Sequence, residues 1–369
     1  MKKQRAIPIL FFCILYLALT GCGLPTEVTN TAPQTATASP LPTNVPRQIS
    51  WTWGGIYCHT SDPWTICADQ PEHPIAQNNL SANQQLMHLT NNYFQITYVQ
   101  YDTLGHNGGH GMNLVKEGVF PMWETVPMYL TLYSPEIDLY HLIGLCQSFD
   151  HSNSIFNATR ELRNQIYKEN HGITIKPNYG SFPYPLHAVF TKKPLTDLQS
   201  LMTMRIRHHT ALGTNQLSGI GIEAQHISWD DTYQSLESGH VDAAVTSISA
   251  AISSNLIQIT PYFTILPACG GYAEPVFNID ALFSLPEDVL TTFEEVGQQL
   301  SETNANFWDN TSKSDDHTAS SEILSFQPIP KEMGSELTIL LEPGIEEWAN
   351  KIGSEALKFL SHAKEVQIH

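Results

Sequence analysis

Arg205 and Arg207 stand two residues apart in the stretch MRIR, where they alternate with Met204 and Ile206. A period of two belongs to a strand with one buried face, so both guanidinium groups leave the backbone opposite the apolar pair. A planar, permanently charged group in that setting is aimed at an anion, either the carboxylate of a bound molecule or a structural carboxylate of the same chain. The overall charge makes Arg207 more informative. With 36 acidic residues against 18 basic, the formal charge is −18, and no basic tract follows the amino-terminal segment. Nucleic acid is therefore excluded as a partner. A chain this acidic repels anions at long range and can bind one only through a local, walled-off cation.

The remaining chemically capable residues point elsewhere or nowhere. His106 and His110 in GHNGGHG are four apart, the spacing that places two ligands on one helical face. Their glycine-rich surroundings make a poor helix and no third ligand stands nearby, so no metal site is expected there or at His208 and His209. Of six cysteines, Cys13 and Cys22 lie in the amino-terminal segment. Cys58 and Cys67 enclose the loop HTSDPWTI, which a bridge between them would pin, while Cys146 and Cys269 read as small buried side chains. No CxxC, HExxH, GxSxG or phosphate-loop pattern occurs, so neither a cofactor nor a catalytic apparatus is expected.

The elements that must position the arginines lie on either side of them. Residues 204–207 read as a strand, 210–219 as a helix, 220–227 as a second strand and 229–237 as a second helix, capped by Ser228 or Asp230. Gly239 ends that helix, and 241–248 is apolar enough for a buried parallel strand. This strand-helix-strand-helix-strand order defines an α/β unit.

The same stretch resembles the TRAP-transporter extracytoplasmic solute receptors. Lys193 and Pro194, a short helical connection, and then Arg205, Ile206 and Arg207 follow that family's pattern, as do Asp231, Tyr233, Leu236, Gly239, Val241 and Asp242. Asn278, Leu285 and Pro286 match a later segment that leads into a long helix with acids at its start. Thr203, His209 and Ala243 depart from it, and they leave the ligand class open. The resemblance implies an α/β fold of two lobes, of the type II periplasmic-binding-protein kind, closing on a small organic acid in the cleft between them. It implies membrane permease subunits as the partner that carries the solute across. It assigns the ligand carboxylate to Arg207 rather than to Arg205, with Trp229, Thr246 and Ser247 completing the site. It also brings Trp123 and Glu124 to the ligand edge of the first lobe, and Tyr179 and Tyr184 to the crossover between lobes.

From its beginning, the chain carries Lys2, Lys3 and Arg5 before an apolar run over 6–19, too short to span a bilayer and typical of an export signal. The ending Leu19-Thr20-Gly21-Cys22 resembles a bacterial lipobox, which would make Cys22 the lipid-bearing first residue of an extracytoplasmic protein anchored to the cell membrane. Residues 23–48, rich in Thr, Pro and Ala, cannot bury a core and read as a tether. Lobe I is expected from 49–172 with 255–290, and lobe II from 173–254 with 291–369. In the first lobe the loop over 55–62, after the opening strand, is a candidate ligand contact, because open α/β sheets bind at the carboxyl ends of their strands. Residues 135–148 and 154–170 read as helices, and 302–320 as a loop or frayed helix end. Three other classes share parts of this pattern: a sensor docking on a signalling partner, a receptor for an ATP-driven transporter, and an exported enzyme.

Overall fold

Alternation in ISWTWGG buries Trp51 and Trp53 on one side of the first strand while Ser50 stays exposed, and the same logic builds two sheets. The computed structural model describes residues 48–56, 73–106, 109–130, 134–313, 325–326 and 331–366. Cys22, Cys58, Cys67 and most of the loop over 55–62 lie outside the described residues. In chain order the first elements are β1 (Ile49–Gly55), α1 (Pro74–Leu89), β2 (Phe94–Gln100), α2 (Gly111–Lys116), β3 (Met122–Thr125), α3 (Phe149–Ala158), α4 (Arg160–Ile166), β4 (Ile173–Thr174) and β5 (Phe182–Pro183). The middle carries β6 (Ala188–Thr191), α5 (Leu198–Met202), β7 (Arg205–His208), α6 (Ala211–Gly219), β8 (Glu223–His226), α7 (Trp229–Glu237), β9 (Ala243–Thr246), α8 (Ile248–Ser253) and β10 (Tyr262–Ile265). The chain then adds β11 (Tyr272–Asn278), α9 (Ile279–Phe283), α10 (Glu287–Lys313), β12 (Ser325–Phe326), α11 (Lys331–Ile352) and α12 (Ser354–Glu365).

The first sheet has the order β2-β1-β3-β11-β4, with β5 also paired to β11; β1 runs parallel to β2 and β3, and β11 runs against its neighbours. Its two faces bury separate cores. Trp51, Trp53, Met122 and Phe277 meet α1 and α10 on one side, and Trp123, Val276 and Tyr272 meet the helices after residue 135 on the other. The second sheet has the order β12-β10-β6-β9-β7-β8, with β7 parallel to β8 and β9. Ile206 and Leu217 face α11 on one side of it, and Val241 and Leu236 pack on the other.

Local sequence explains the unit around Arg207 well. Thr210 accepts the Gly213 amide and starts α6, Ser228 accepts the Asp231 amide and starts α7, and Gly239 takes φ +73° where a side chain would be strained. Other expectations are corrected. Residues 135–148 form one 3-10 stretch, Pro135–His141, and no α-helix, because Gly144 at φ +99° turns the chain away. The helix expected over 154–170 is two helices meeting at Thr159, followed by the π turn Tyr167–His171.

Lobe membership also differs from expectation. β10 is hydrogen-bonded into the second sheet, α10 packs on α1 and β5 of the first lobe, and α12 packs on α3. Two segments cross between the sheets, from β5 to β6 and from β10 to β11. They lie against each other through Tyr184 N to Gly271 O at 3.0 Å and Leu266 N to His187 O at 2.9 Å. Gly270 is required there, since a Cβ on it would strike the Pro185 carbonyl. Cys146 and Cys269, expected as free buried thiols, form a disulfide with their Cα atoms 5.0 Å apart, which fastens the second crossing segment to the first lobe.

Candidate functional site

Parallel strands of both sheets point their carboxyl ends at one cleft, as open α/β sheets do. From the first lobe come Ile56 after β1 and Val126 to Met128 after β3; from the second come His209 after β7, Ile227 to Trp229 after β8, and Thr246 with Ser247 at the end of β9. The crossing segments supply Tyr184, His187 and Gly270 to Tyr272, and α10 supplies Trp308. The cavity measures about 520 Å³, room for a small organic molecule.

Arg207 is its only lining lysine or arginine, and no aspartate or glutamate lines it among the described residues. The side chain is 1% exposed, and its Nε and Nη1 donate to the carbonyls of Ile227 and Val245 at 3.0 and 3.1 Å. No carboxylate of the described residues pairs with it, and burial pulls the guanidinium down to about 10. It remains charged at neutral pH. Trp229 sits 5.6 Å from it, ring to guanidinium carbon. Arg205 differs completely: both prongs engage Asp242, at 2.9 Å each, on the half-exposed opposite end of the strand.

Thr246, Ser247, Trp229 and Tyr184 line the cleft beside Arg207. Trp123 and Tyr179 do not. Trp123 is stacked on Tyr101 at 4.8 Å with Gly54 and Gly111 against its ring, and Tyr179 is stacked on Phe293 at 4.3 Å with its hydroxyl donating to Asn83. Both are core residues, as bulky aromatics usually are. Glu124 lies behind the wall: its Oε2 accepts the amide of Ile56 at 2.9 Å and the Tyr98 hydroxyl at 3.2 Å, and Oε1 has no partner among the described residues. It holds the end of β1 at the rim instead of facing the ligand.

Burial raises the Glu124 carboxyl to about 7 against 4.5 for an exposed glutamate, more than its two hydrogen bonds lower it. A folded-state value above the unfolded one means the group contributes stability that is present below the unfolded value and is lost as pH climbs through the folded one. The window here runs from about pH 4.5 to 7. Replacing Glu124 by Gln should leave a protein that gains on the parent by roughly 3 kcal/mol between pH 5 and pH 8. Denaturant unfolding at the two pH values measures this; a difference that does not change with pH would mean the carboxyl is ionised throughout.

Sequence reasoning missed the imidazoles. His209 lies 4.6 Å from His187, 4.5 Å from His208 and 5.2 Å from His141, ring centre to ring centre. His141, His187 and His209 line the cleft, while His208 is buried against Gly213, where a Cβ would strike its ring. Burial, reinforced by mutual repulsion and by Arg207, lowers His187 to about 3 and His209 well below the usual range. Trp308 was missed as well, because 302–313 continues α10 instead of fraying. Its indole nitrogen and His209 Nδ1 are both buried with no partner among the described residues.

Two α/β lobes joined by crossing segments around a cleft with one buried cation make up the architecture of a periplasmic-type solute-binding protein. The sequence matches the bacterial extracellular solute-binding proteins of family 7 (DctP) over residues 68–351, and the chain belongs to that family. No curated protein matches it. Among solved structures, DctP7 of Bordetella pertussis, an extracytoplasmic solute receptor binding pyroglutamic acid, superposes with a TM-score of 0.71 at 20% identity over 86% of this chain and 99% of that one. A marine metagenome TRAP protein specific for aromatic acids, with co-crystallized 3-hydroxybenzoate, gives 0.67 at 14% over 86% and 98%. A TRAP protein of Desulfovibrio desulfuricans with bound sn-glycerol-3-phosphate gives 0.70 at 17% over 87% and 99%. At these identities the likeness is one of fold.

Proposed function

We propose that the chain captures a small organic acid in this cleft, its carboxylate held by the fork of Arg207, and delivers it to the permease subunits of a TRAP-type secondary transporter. The observation that carries this reading is Arg207: a buried guanidinium at the meeting of two lobes whose bonds go to carbonyls alone. A cation taken out of water without a counter-ion is costly, and an incoming carboxylate offsets that cost. Arg205 is occupied by Asp242, which takes the two-pronged Nε and Nη2 edge of its guanidinium. The acids held by two relatives of the fold support an organic acid as the ligand class. Trp229, Thr246, Ser247 and Tyr184 complete the site, and binding closes the lobes about the crossing segments. The protein works by capture and release, without turnover. Cys22 carries a lipid, and residues 23–48 tether the domain to the membrane surface.

Calorimetric titration of an acid found by thermal-shift screening tests the central claim. Arg207→Ala should lose at least about thirtyfold in affinity, because it leaves a carboxylate unpaired in a closed cleft. Arg207→Lys should recover only part, since an ammonium cannot reproduce the fork. Arg205→Ala should bind like the parent. Normal binding by Arg207→Ala would sink the carboxylate assignment.

A further inference from the structure

The charge inventory of the cleft is unusual for a site built to bind an anion. Among the described residues it contains one guanidinium, no ammonium and no carboxylate, yet five imidazoles line it: His73 at the start of α1, His141, His187, His209 and, at the end of β8, His226. These would be the natural second cation for a doubly charged ligand. Three of them are held away from that role. His73, His187 and His209 are kept neutral by burial, with the neighbouring imidazoles and Arg207 repelling any added proton on the last two. His141 brings its own counter-charge, since its Nδ1 lies 2.9 Å from Asp138 Oδ1, and His226 is exposed to solvent at the end of the edge strand β8, where water screens its charge. His208 stacks on His209 and accepts the Thr210 amide through Nδ1 at 3.1 Å, so its surface towards the cleft is a neutral ring as well. The remaining acid near the wall, Glu124, faces Ile56 and Tyr98, not the cavity.

The walls tell the same story in apolar terms. Ile56, Val126, Met128, Tyr272, Trp229 and Trp308 border the cavity, so the body of the ligand is received by hydrocarbon and aromatic surface. The indole N–H of Trp308 and Nδ1 of His209, on two of the lining residues, are buried without a partner among the described residues and add no charge to the wall. A neutral and apolar wall of this kind gains little from a second carboxylate, whose desolvation it cannot offset.

We propose that this cleft selects acids carrying one negative charge, with the carboxylate on Arg207 and an uncharged body against the apolar wall, and that a dianion enters only together with a proton. The inference rests on the assignment of the ligand carboxylate to Arg207. A proton accompanying a dianion sits on the ligand's second carboxyl, leaving one negative charge against Arg207, or on one of the facing imidazoles, leaving two negative charges against Arg207 and an imidazolium; either way the charges in the cleft balance.

Matched pairs of probes separate the possibilities: 3-hydroxybenzoate against isophthalate, and cyclopentanecarboxylate against cyclopentane-1,3-dicarboxylate, with pyroglutamate as a third mono-anion. Titration calorimetry between pH 6 and 8.5, in buffers of different ionisation enthalpy, reads affinity and proton uptake together. At pH 8 the mono-anion of a pair should bind at least about thirtyfold more tightly than its dianionic partner. Its affinity should stay level across the range. The dianion should gain up to about tenfold per unit fall in pH, with uptake of close to one proton. A dianion that binds as tightly as its mono-anionic partner at pH 8, or without taking up a proton, overturns the proposal while leaving the carboxylate assignment standing. A dianion that binds through Arg207 at pH 8 while none of these mono-anions does overturns the proposal as well. Unchanged binding by Arg207→Ala removes the assignment beneath it, and the proposal with it.

Discussion

Replacing Cys146 and Cys269 together by alanine should lower the free energy of unfolding by about 5 kcal/mol, the upper end for a single bridge. The reason is the length of chain it closes: the cysteines are 123 residues apart, and the entropy that a cross-link removes from the unfolded chain grows with the logarithm of that span. Both are fully buried, and they join the turn after Gly144 to the segment that crosses from β10 to β11. Alanine leaves only a small void at each site, so most of the loss is attributable to the lost constraint rather than to packing. Denaturant unfolding of the oxidised parent and the double variant provides the comparison. Equal unfolding free energies would show that the unfolded chain is already restricted by other means, or that the bridge does not form in the folded protein.

The bridge also shows where reading the chain stops. Local signals carried the strands and helices around Arg207, because each boundary there is set by a residue a few positions away: Thr210 on α6, Ser228 on α7, Gly239 after it. The alternation in MRIR placed both arginines on one face of the strand, and only the family resemblance separated Arg207 from Arg205. What lay beyond reach depends on distance along the chain. Nothing in the spacing of Cys146 and Cys269 distinguishes them from isolated buried thiols, since only the crossing segments bring them together. The imidazole cluster draws on residues 141, 187, 208 and 209, which meet at the hinge and share no local motif. Trp123 and Tyr179 misled because aromatic chemistry is equally suited to a ligand and to a core, and a neighbour such as Phe293 is invisible from the sequence around Tyr179. The polar composition of 302–313 concealed a helix whose inner face carries Asn304 and Trp308. That face is stabilised by tertiary contacts, Asn304 with Asn79 and Asn78, that propensity does not register.

Removing either partner of the buried pair Arg163 and Glu274 should cost about 3–5 kcal/mol, whereas removing both in favour of apolar side chains should cost far less. Arg163 on α4 reaches the first sheet with Nε and Nη2, 3.1 and 3.0 Å from the two carboxylate oxygens of Glu274 on β11. Its Nη1 donates to the Tyr140 hydroxyl, the Phe156 carbonyl and the Thr159 hydroxyl, so every face of the group is engaged. Phe156 and Tyr272 lie 4.1 and 4.9 Å from the guanidinium carbon. Burial alone would pull this guanidinium down, and the Glu274 carboxylate, together with the Tyr140 and Tyr272 hydroxyls, more than reverses it, which is the signature of a charge that depends on its partners. In Glu274→Leu that charge stays in the core with neutral acceptors only, and in Arg163→Met the carboxylate is stranded in the same way. In Arg163→Met/Glu274→Leu both desolvation costs disappear and the volume is largely kept, so the double variant should be more stable than either single one. Unfolding free energies for the four proteins close a double-mutant cycle. Single variants within about 1 kcal/mol of the parent would mean that water enters the site and screens the pair, and additive losses would mean that the two charges do not sense each other at all. Because Tyr272 packs on Arg163 with its ring and borders the cleft, the same cycle run on ligand affinity shows whether this pair also holds the first lobe's side of the binding site in place.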